Sequence, residues 1–386
     1  MKFNTGSSTN QNPLLAGKEA AAQAKKGIEQ IKMAFAYASC DYDLDAMLAG
    51  ISEEMPGIPV IGNTSFTGVI TPEGYISSGQ GFVGMMTCGG TDVTVGVAAV
   101  AKTAGAYEDG MTVAKRAMEK AGKTTPPDYF YMAVPSGEEE FFLKGITKVI
   151  GRVPFFGGSA ADNTIAGNWK LYTEKGVFAD GIAVAFFYTE KPMVNKFTGA
   201  YRESGKVGII TKVENNRTLK EIDGMPALKK YAEWKNIDVE SVKGGDLLVN
   251  SITSPLGVKD RLGDLVAIRH PMNGNDDYSI SVGNNLAEGT AILLMAGSVD
   301  ELIASTGETL KQLKASMKNP AAFHLVHCGG RRAGIGDRIE EVYAAIKDAA
   351  GDIPFIVEFT FGEYGFEADG LNTCGGLMLS FTGFES

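Results

Sequence analysis

The stretch FYMAVPSGEEEFFLKGITKVIGRVPFFGGSAAD, Phe130 to Asp162, decides the fold, because the chain has already presented its pattern once. FAYASC at Phe35–Cys40 and IPVIGNTSF at Ile58–Phe66 carry the same apolar run, helical interval and proline-led apolar run. Pro59 lies 24 residues after Phe35, and Pro154 lies 24 after Phe130, so the two copies are offset by 95 at both ends. A short apolar run, a 3.6-period interval and a second apolar run read as strand, helix and strand. With the strand-like runs around Val69 and Phe82, each copy predicts a β-α-β-β-β unit. A third copy begins with FHLVHC at Phe323, passes a helix near Arg338–Asp348 and reaches IPFIVEF at Ile353, its helical interval seven residues longer. Self-similarity at a fixed period is an architectural signal. It places Cys40 and Cys328 at equivalent strand mouths, with Pro135 as the counterpart in the second copy.

Working outward, the polar residues 1–12 predict a disordered tail, and Pro13 followed by an Ala-rich run to Lys32 predicts a surface helix. Between copies two and three lies a different stretch: a strand pair near Val207–Val213, a helix from about Pro226 to Lys235, and apolar strands around Leu247, Leu265, Ile280 and Ile292. No flexible linker interrupts it, so a boundary near residue 220 would be a packed one. The expected fold is α+β: mixed β-sheets flanked by outer helices, repeated units related by pseudo-symmetry, and two closely packed halves at 13–220 and 221–386.

Composition narrows the function. The 386 residues carry 49 glycines, well above the average of about 7%. A net charge of −10 with no basic block argues against a nucleic-acid partner. No apolar run approaches the roughly 18 residues of a membrane span, and no secretory leader is evident at the N-terminus, so a cytoplasmic location is expected. Cys40, Cys88, Cys328 and Cys374 are scattered singly, as reduced thiols would be.

Several segments resemble the FIST family, prokaryotic proteins with paired N-terminal and C-terminal FIST modules. They are IPVIGNTSFTGVI (Ile58–Ile70), VPFFGGSAAD (Val153–Asp162), IDGMPAL (Ile222–Leu228), NNLAEGTAILLM (Asn284–Met295), HCGGR (His327–Arg331) and FGEYGFEADGLNTCGGLML (Phe361–Leu379). The resemblance implies a stand-alone sensory protein of signal transduction that binds a small polar, amino-acid-like metabolite. No appended output module is present, so the signal would pass to a separately encoded protein partner.

Candidate ligand-binding residues follow from the glycine loops and the matched segments. Gly62, Asn63 and Ser65, and their repeat Gly157, Gly158 and Ser159, follow apolar strands, where backbone N–H groups can approach an anion; tight turns explain the same glycines. No P-loop sequence is present. Asp162 and Asn163 close the second loop as caps or ligand groups. Arg331 matches the family's arginine and offers a bidentate fork to a carboxylate, with Arg332 its solvated neighbour. Glu363 is placed to meet a ligand ammonium or Arg331 itself, and Asn372 and Thr373 lie in the last matched segment. No cofactor is expected. Haem through His324 or His327 is an alternative implied by the resemblance, and alternation along a strand sets these two on opposite faces. A cysteine-dependent enzyme using Cys40 or Cys328 is a second alternative, although no oriented base is identifiable in sequence. The expectation is therefore binding rather than catalysis.

Overall fold

The computed structural model describes residues 1–103, 105–259, 265–367 and 371–386. Three six-stranded mixed sheets share one plan. In the first, the order is Lys2–Ser8, Val83–Gly89, Ile31–Ala38, Val60–Thr64 and the hairpin Leu171–Phe178. In the second it is Thr94–Ala101, Gly181–Tyr188, Tyr129–Val134, Phe155–Ser159 and the hairpin Glu363–Gly375. In the third it is Met193–Thr198, Leu379–Glu385, Pro320–Cys328, Phe355–Thr360 and the hairpin Val69–Ile76. In each sheet the two inner strands run parallel, which requires the helical crossover seen in the sequence. Every hairpin comes from a different repeat than the strands it joins. The repeats are thus linked in a ring by strand exchange.

Two helices cover the outer face of each sheet, and their close approach accounts for part of the glycine excess. A Cβ on Gly17 would fall 2.1 Å from the Met47 carbonyl oxygen, and one on Gly110 would fall 2.3 Å from that of Phe142. The same contact recurs in two repeats because the same helix pair, Pro13–Ala24 on Leu44–Glu54 and Ala106–Lys120 on Glu139–Ile150, is built twice.

The inner faces meet on a pseudo-threefold axis. Ala34 N donates to Pro59 O (2.9 Å), Phe130 N to Pro154 O (3.1 Å) and Phe323 N to Pro354 O (3.0 Å). The three prolines are therefore equivalent, as the spacing predicts, but Ala34 rather than Phe35 matches Phe130 and Phe323. A one-residue slip reverses the face of every side chain in a strand: Phe35 points to the axis, whereas Phe130 packs under the helices. The true counterparts Phe35, Tyr131 and His324 pack around the axis with ring centroids 4.8–5.5 Å apart. Cys40 and Cys328 are consequently not equivalent. Ser39 is the counterpart of Cys328, each donating its backbone N–H to the neighbouring antiparallel strand, at Phe82 O and Met378 O.

One further expectation is corrected. Residues 2–8 are not a disordered tail but an edge strand paired with Val83–Gly89, anchored by Phe3 stacking on Phe384 at 4.9 Å. Its alternating apolar residues are too sparse to stand out in sequence. Near residue 220 the sheet is continuous, Arg202–Glu214 pairing with both Thr218–Ile222 and Ala291–Ala296, so a boundary there is a packed one. The described residues of 202–296 form one sheet with the helix Ala227–Lys235, inserted into the third repeat between its edge strand and the helix Val299–Ala315. No helix among the described residues is long and apolar enough to cross a membrane.

Candidate functional site

At the ends of the second inner strands, three loops close a ring of backbone hydrogen bonds. Phe66 N donates to Phe359 O (2.9 Å), Phe361 N to Ser159 O (3.0 Å) and Ala161 N to Thr64 O (2.9 Å). Each residue pair is equivalent under the threefold relation, so the ring fixes the three loops together. The inserted sheet lies against the ring beside repeats two and three, and between them is a cavity of about 250 Å³, near the lower end of small-molecule sites at roughly 300 Å³. Its walls are largely apolar, with Phe66, Trp169, Met272 and Phe361 among them. Phe361 packs edge-on to Trp169 at 6.1 Å and tilted to Phe66 at 5.7 Å.

Polar groups enter from three directions. The insertion contributes Arg217, His270 and Asn284; the strand mouths contribute Ser136 and Cys328. Arg217 Nη2 donates to Glu139 (2.5 Å) and Glu140 (2.8 Å), its Nε to Asn285 Oδ1 (3.0 Å) and its Nη1 to Gly283 O (2.6 Å). Burial raises the Glu139 carboxyl while Arg217 draws it back. On Arg217, burial opposes the charge, but the two carboxylates outweigh it and raise its pKa. His270 Nε2 lies 2.7 Å from Leu248 O. A carbonyl only accepts, so Nε2 carries the proton and Nδ1 presents a lone pair. Burial lowers the His270 pKa to about 4, which keeps the ring neutral. Asn284 is 2% exposed, and its Nδ2 has no hydrogen-bond partner. Cys328 Sγ accepts from Gly330 N and Leu377 N, both at 3.2 Å, and burial, with Glu363 nearby, raises its thiol pKa.

None of the twelve residues expected to bind ligand lines this cavity. Gly62 sits in an inner strand where a Cβ would meet Ala36 O at 1.7 Å, and Gly157 stands likewise 2.0 Å from Met132 O; Gly158 packs against Thr360. Asn63 is fully buried between Glu358 Oε2 (3.0 Å) and Tyr131 OH (2.8 Å). Ser65 bonds Gly68 O and Phe359 N across the ring, and Ser159 bonds Tyr364 OH and Glu139. Asp162 accepts from the N–H groups of Thr164, Ala166 and Asn168, and Asn163 bridges Asp41 and Thr67. Asn372 holds Val153 O, and Thr373 bonds Leu371 O. Most of these residues order the ring and the loops behind it.

Arg331 and Glu363 do not pair in the expected way. Arg331 is fully buried, donating to Gly199 O (2.7 Å), Leu302 O (3.0 Å) and Ser305 Oγ (2.7 Å). Arg332 is the outer of the two, bonded to Tyr75 OH and Gly336 O. Glu363 accepts from Thr360 Oγ1 (2.9 Å) and Met378 N (2.8 Å), and burial pushes its carboxyl up to about 8. The histidines proposed for haem lie apart from the cavity. His324 Nε2 is 2.5 Å from Tyr37 OH on the axis, and His327 stacks edge-on to Phe359 on the opposite face of its strand.

Family models match two consecutive regions: the FIST N domain over residues 32–225 and the FIST C domain over 227–365. The chain belongs to the FIST family. FIST domains are sensory domains of signal transduction. A search of the curated proteins found no match. Among solved structures, similarity extends to cyanuric acid hydrolase from A. caulinodans, at 10% identity and TM-score 0.33, covering 99% of this chain and 98% of that one. Phosphoribosylformylglycinamidine synthase II from Thermotoga maritima is similar at 11% identity and TM-score 0.22, over 99% and 72% of the two chains.

Proposed function

We propose that this FIST protein is a non-catalytic sensor that binds a small amino-acid-like metabolite in the cavity between the loop ring and the inserted sheet, passing its state to a separately encoded partner. The observation that carries the reading is the meeting of Arg217 with Glu139 and Glu140 beside a largely apolar cavity. One guanidinium and two carboxylates in one place suit a zwitterion better than a bare anion, whose charge the acids would repel. Arg217 also joins the insertion to the start of the helix Glu139–Ile150, so a ligand that competes for it changes how the two parts are held together.

The cysteine-dependent alternative has one point in its favour, since Cys328 lines the cavity with Glu363 beside it. The raised thiol pKa works against it, because the thiolate is the nucleophile. For haem, His324 is committed to Tyr37 and both candidate rings are enclosed by core side chains, so the residues present do not fit the group.

A ligand that binds only the native state raises the melting temperature by mass action. Thermal-shift measurements with the common amino acids should give a concentration-dependent rise that Arg217→Ala diminishes. No shift with any amino acid up to millimolar concentration would overturn the reading.

A further inference from the structure

The insertion lines the cavity with Leu248, Met272 and Val282, and the repeats line it with Phe66, Trp169 and Phe361. Ile165, which is exposed, lines it as well, so the apolar surface continues outward toward solvent. Polar groups in the wall are largely committed to the protein itself. Ser136 Oγ donates to Phe361 O at 3.4 Å, Cys328 Sγ takes the N–H groups of Gly330 and Leu377, His270 Nε2 is held by Leu248 O, and the Asn284 Nδ2 is enclosed by protein. The lining glycines are spent in the same way: Gly137 N donates to Glu139 Oε2, Gly283 N to His270 O and Gly376 N to Ile268 O. Arg217 is the one charged side chain in the wall, so charge meets the cavity at a single place.

We propose that the cavity selects amino acids whose side chains are long and apolar. Resting on the proposed sensor function, this names the ligand class: the ammonium and carboxylate groups lie at Arg217 and its two glutamates, and a side chain of the size of leucine, methionine or norleucine lies against Met272, Trp169 and Phe361. Each methylene moved from water onto such a wall is worth about 0.8 kcal/mol, about fourfold in affinity. A side-chain amide in the same place meets carbon rather than a hydrogen-bond partner, which costs about 1–3 kcal/mol, about 5- to 150-fold. A side-chain carboxylate is rejected more strongly, because it adds a third negative charge beside Glu139 and Glu140 with only Arg217 to balance them.

The test is calorimetric titration of the full chain with the straight-chain series alanine, 2-aminobutyrate, norvaline and norleucine, and with the near-isosteric pairs methionine and glutamine, leucine and asparagine. Affinity should rise about fourfold per methylene, about sixtyfold from alanine to norleucine, with a negative heat-capacity change. Methionine should bind at least about fivefold tighter than glutamine, and leucine than asparagine. Met272→Gln, which keeps the length of the side chain and makes it polar, should shrink the methionine preference by about threefold or more with an unchanged circular dichroism spectrum. If Met272→Gln does not fold, the series in the unaltered protein still decides. Equal affinities along the series, or amides binding as tightly as their apolar isosteres, would overturn the apolar selection while leaving an amino-acid sensor standing. Hexanoate or pentylamine binding as tightly as norleucine would overturn the zwitterion at Arg217 and with it the sensor reading. Binding by none of these amino acids would overturn the selection, and extending the null to all common amino acids would overturn the sensor as well.

Discussion

Replacing Glu358 by glutamine should flatten the fall in stability as pH rises toward 8. Glu358 is fully buried on the threefold axis, with Asn63 Nδ2 at 3.0 Å, Tyr131 OH at 3.1 Å and His324 Nε2 at 3.7 Å. Burial pushes its carboxyl up to about 8, against the pull of hydrogen bonds from Asn63, Tyr131 and Tyr37. Burial also lowers His324 to about 3, so the pair is two neutral groups rather than an ion pair. A carboxyl raised in the folded state keeps its proton while the unfolded chain, with a pKa of roughly 4.3, gives its own up. Its stabilising contribution is complete below that value and is lost as pH rises toward 8. At about 1.4 kcal/mol per pH unit, Glu358 should cost on the order of 2 kcal/mol between pH 6 and 8. Glu363, raised in the same way, adds a slope that both proteins share. Urea unfolding at pH 6, 7 and 8 measures the difference directly. The variant should lose about 2 kcal/mol less than the parent over this range. Parallel curves would show that Glu358 is ionised in the fold and that the axis holds a charge.

Three other outcomes follow from the packing. Arg331→Ala leaves the Gly199 carbonyl without its donor, at roughly 1–3 kcal/mol, while Leu302 O keeps the Ser305 and Thr306 hydroxyls, so denaturant melts should show a loss of about 1–3 kcal/mol; Arg332→Ala should cost under about 1 kcal/mol. Equal losses would contradict the burial assigned to Arg331. Deleting residues 1–8 removes an edge strand and the Phe3–Phe384 stack, and should lower the melting temperature and increase light scattering, because the Val83–Gly89 edge is left open. An unchanged melt would restore the tail reading. Iodoacetamide at pH 8 should label Cys40, the one partly exposed thiol, well before Cys328, as peptide mass mapping would report; faster labelling of Cys328 would favour the cysteine-enzyme alternative.

The repeat was legible because a proline-led strand and a helix of fixed length leave a period that survives divergence. Its register was not, for a specific reason: Phe35 and Phe130 are alike as residues but face opposite sides of their sheets. Matching aromatic to aromatic therefore shifted the first strand by one. The exchanged hairpins were hidden as well, since Val69–Ile76 reads as a strand pair but nothing local says that it joins Phe355–Thr360, nearly three hundred residues away. Glycines 62 and 157 stand out in the sequence as candidate ligand-binding residues, yet their backbone contacts explain them without a ligand. Cys328 was found through its place at a strand mouth. Arg217, His270 and Asn284 were missed as site residues because the insertion that carries them has no counterpart in the other repeats. Asn284 lies within a segment that resembles the family, which marks the segment without giving that residue a role.

That division of labour bears on how a sensor is built from such a chain. Three repeats joined by strand exchange and a closed ring of loop hydrogen bonds make a core whose interior is filled, with Phe35, Tyr131 and His324 meeting on the axis and no room left for a ligand there. A cavity arises where the symmetry is broken, at the side of the ring that the insertion covers. The seven-residue helix Gly329–Ile335, the extra length noted in the third copy, lies at this same place and brings Gly330 and Ala333 to the cavity. The repeats thus supply a rigid floor, and under the proposed function the residues that would distinguish one small molecule from another come from a segment outside the threefold core.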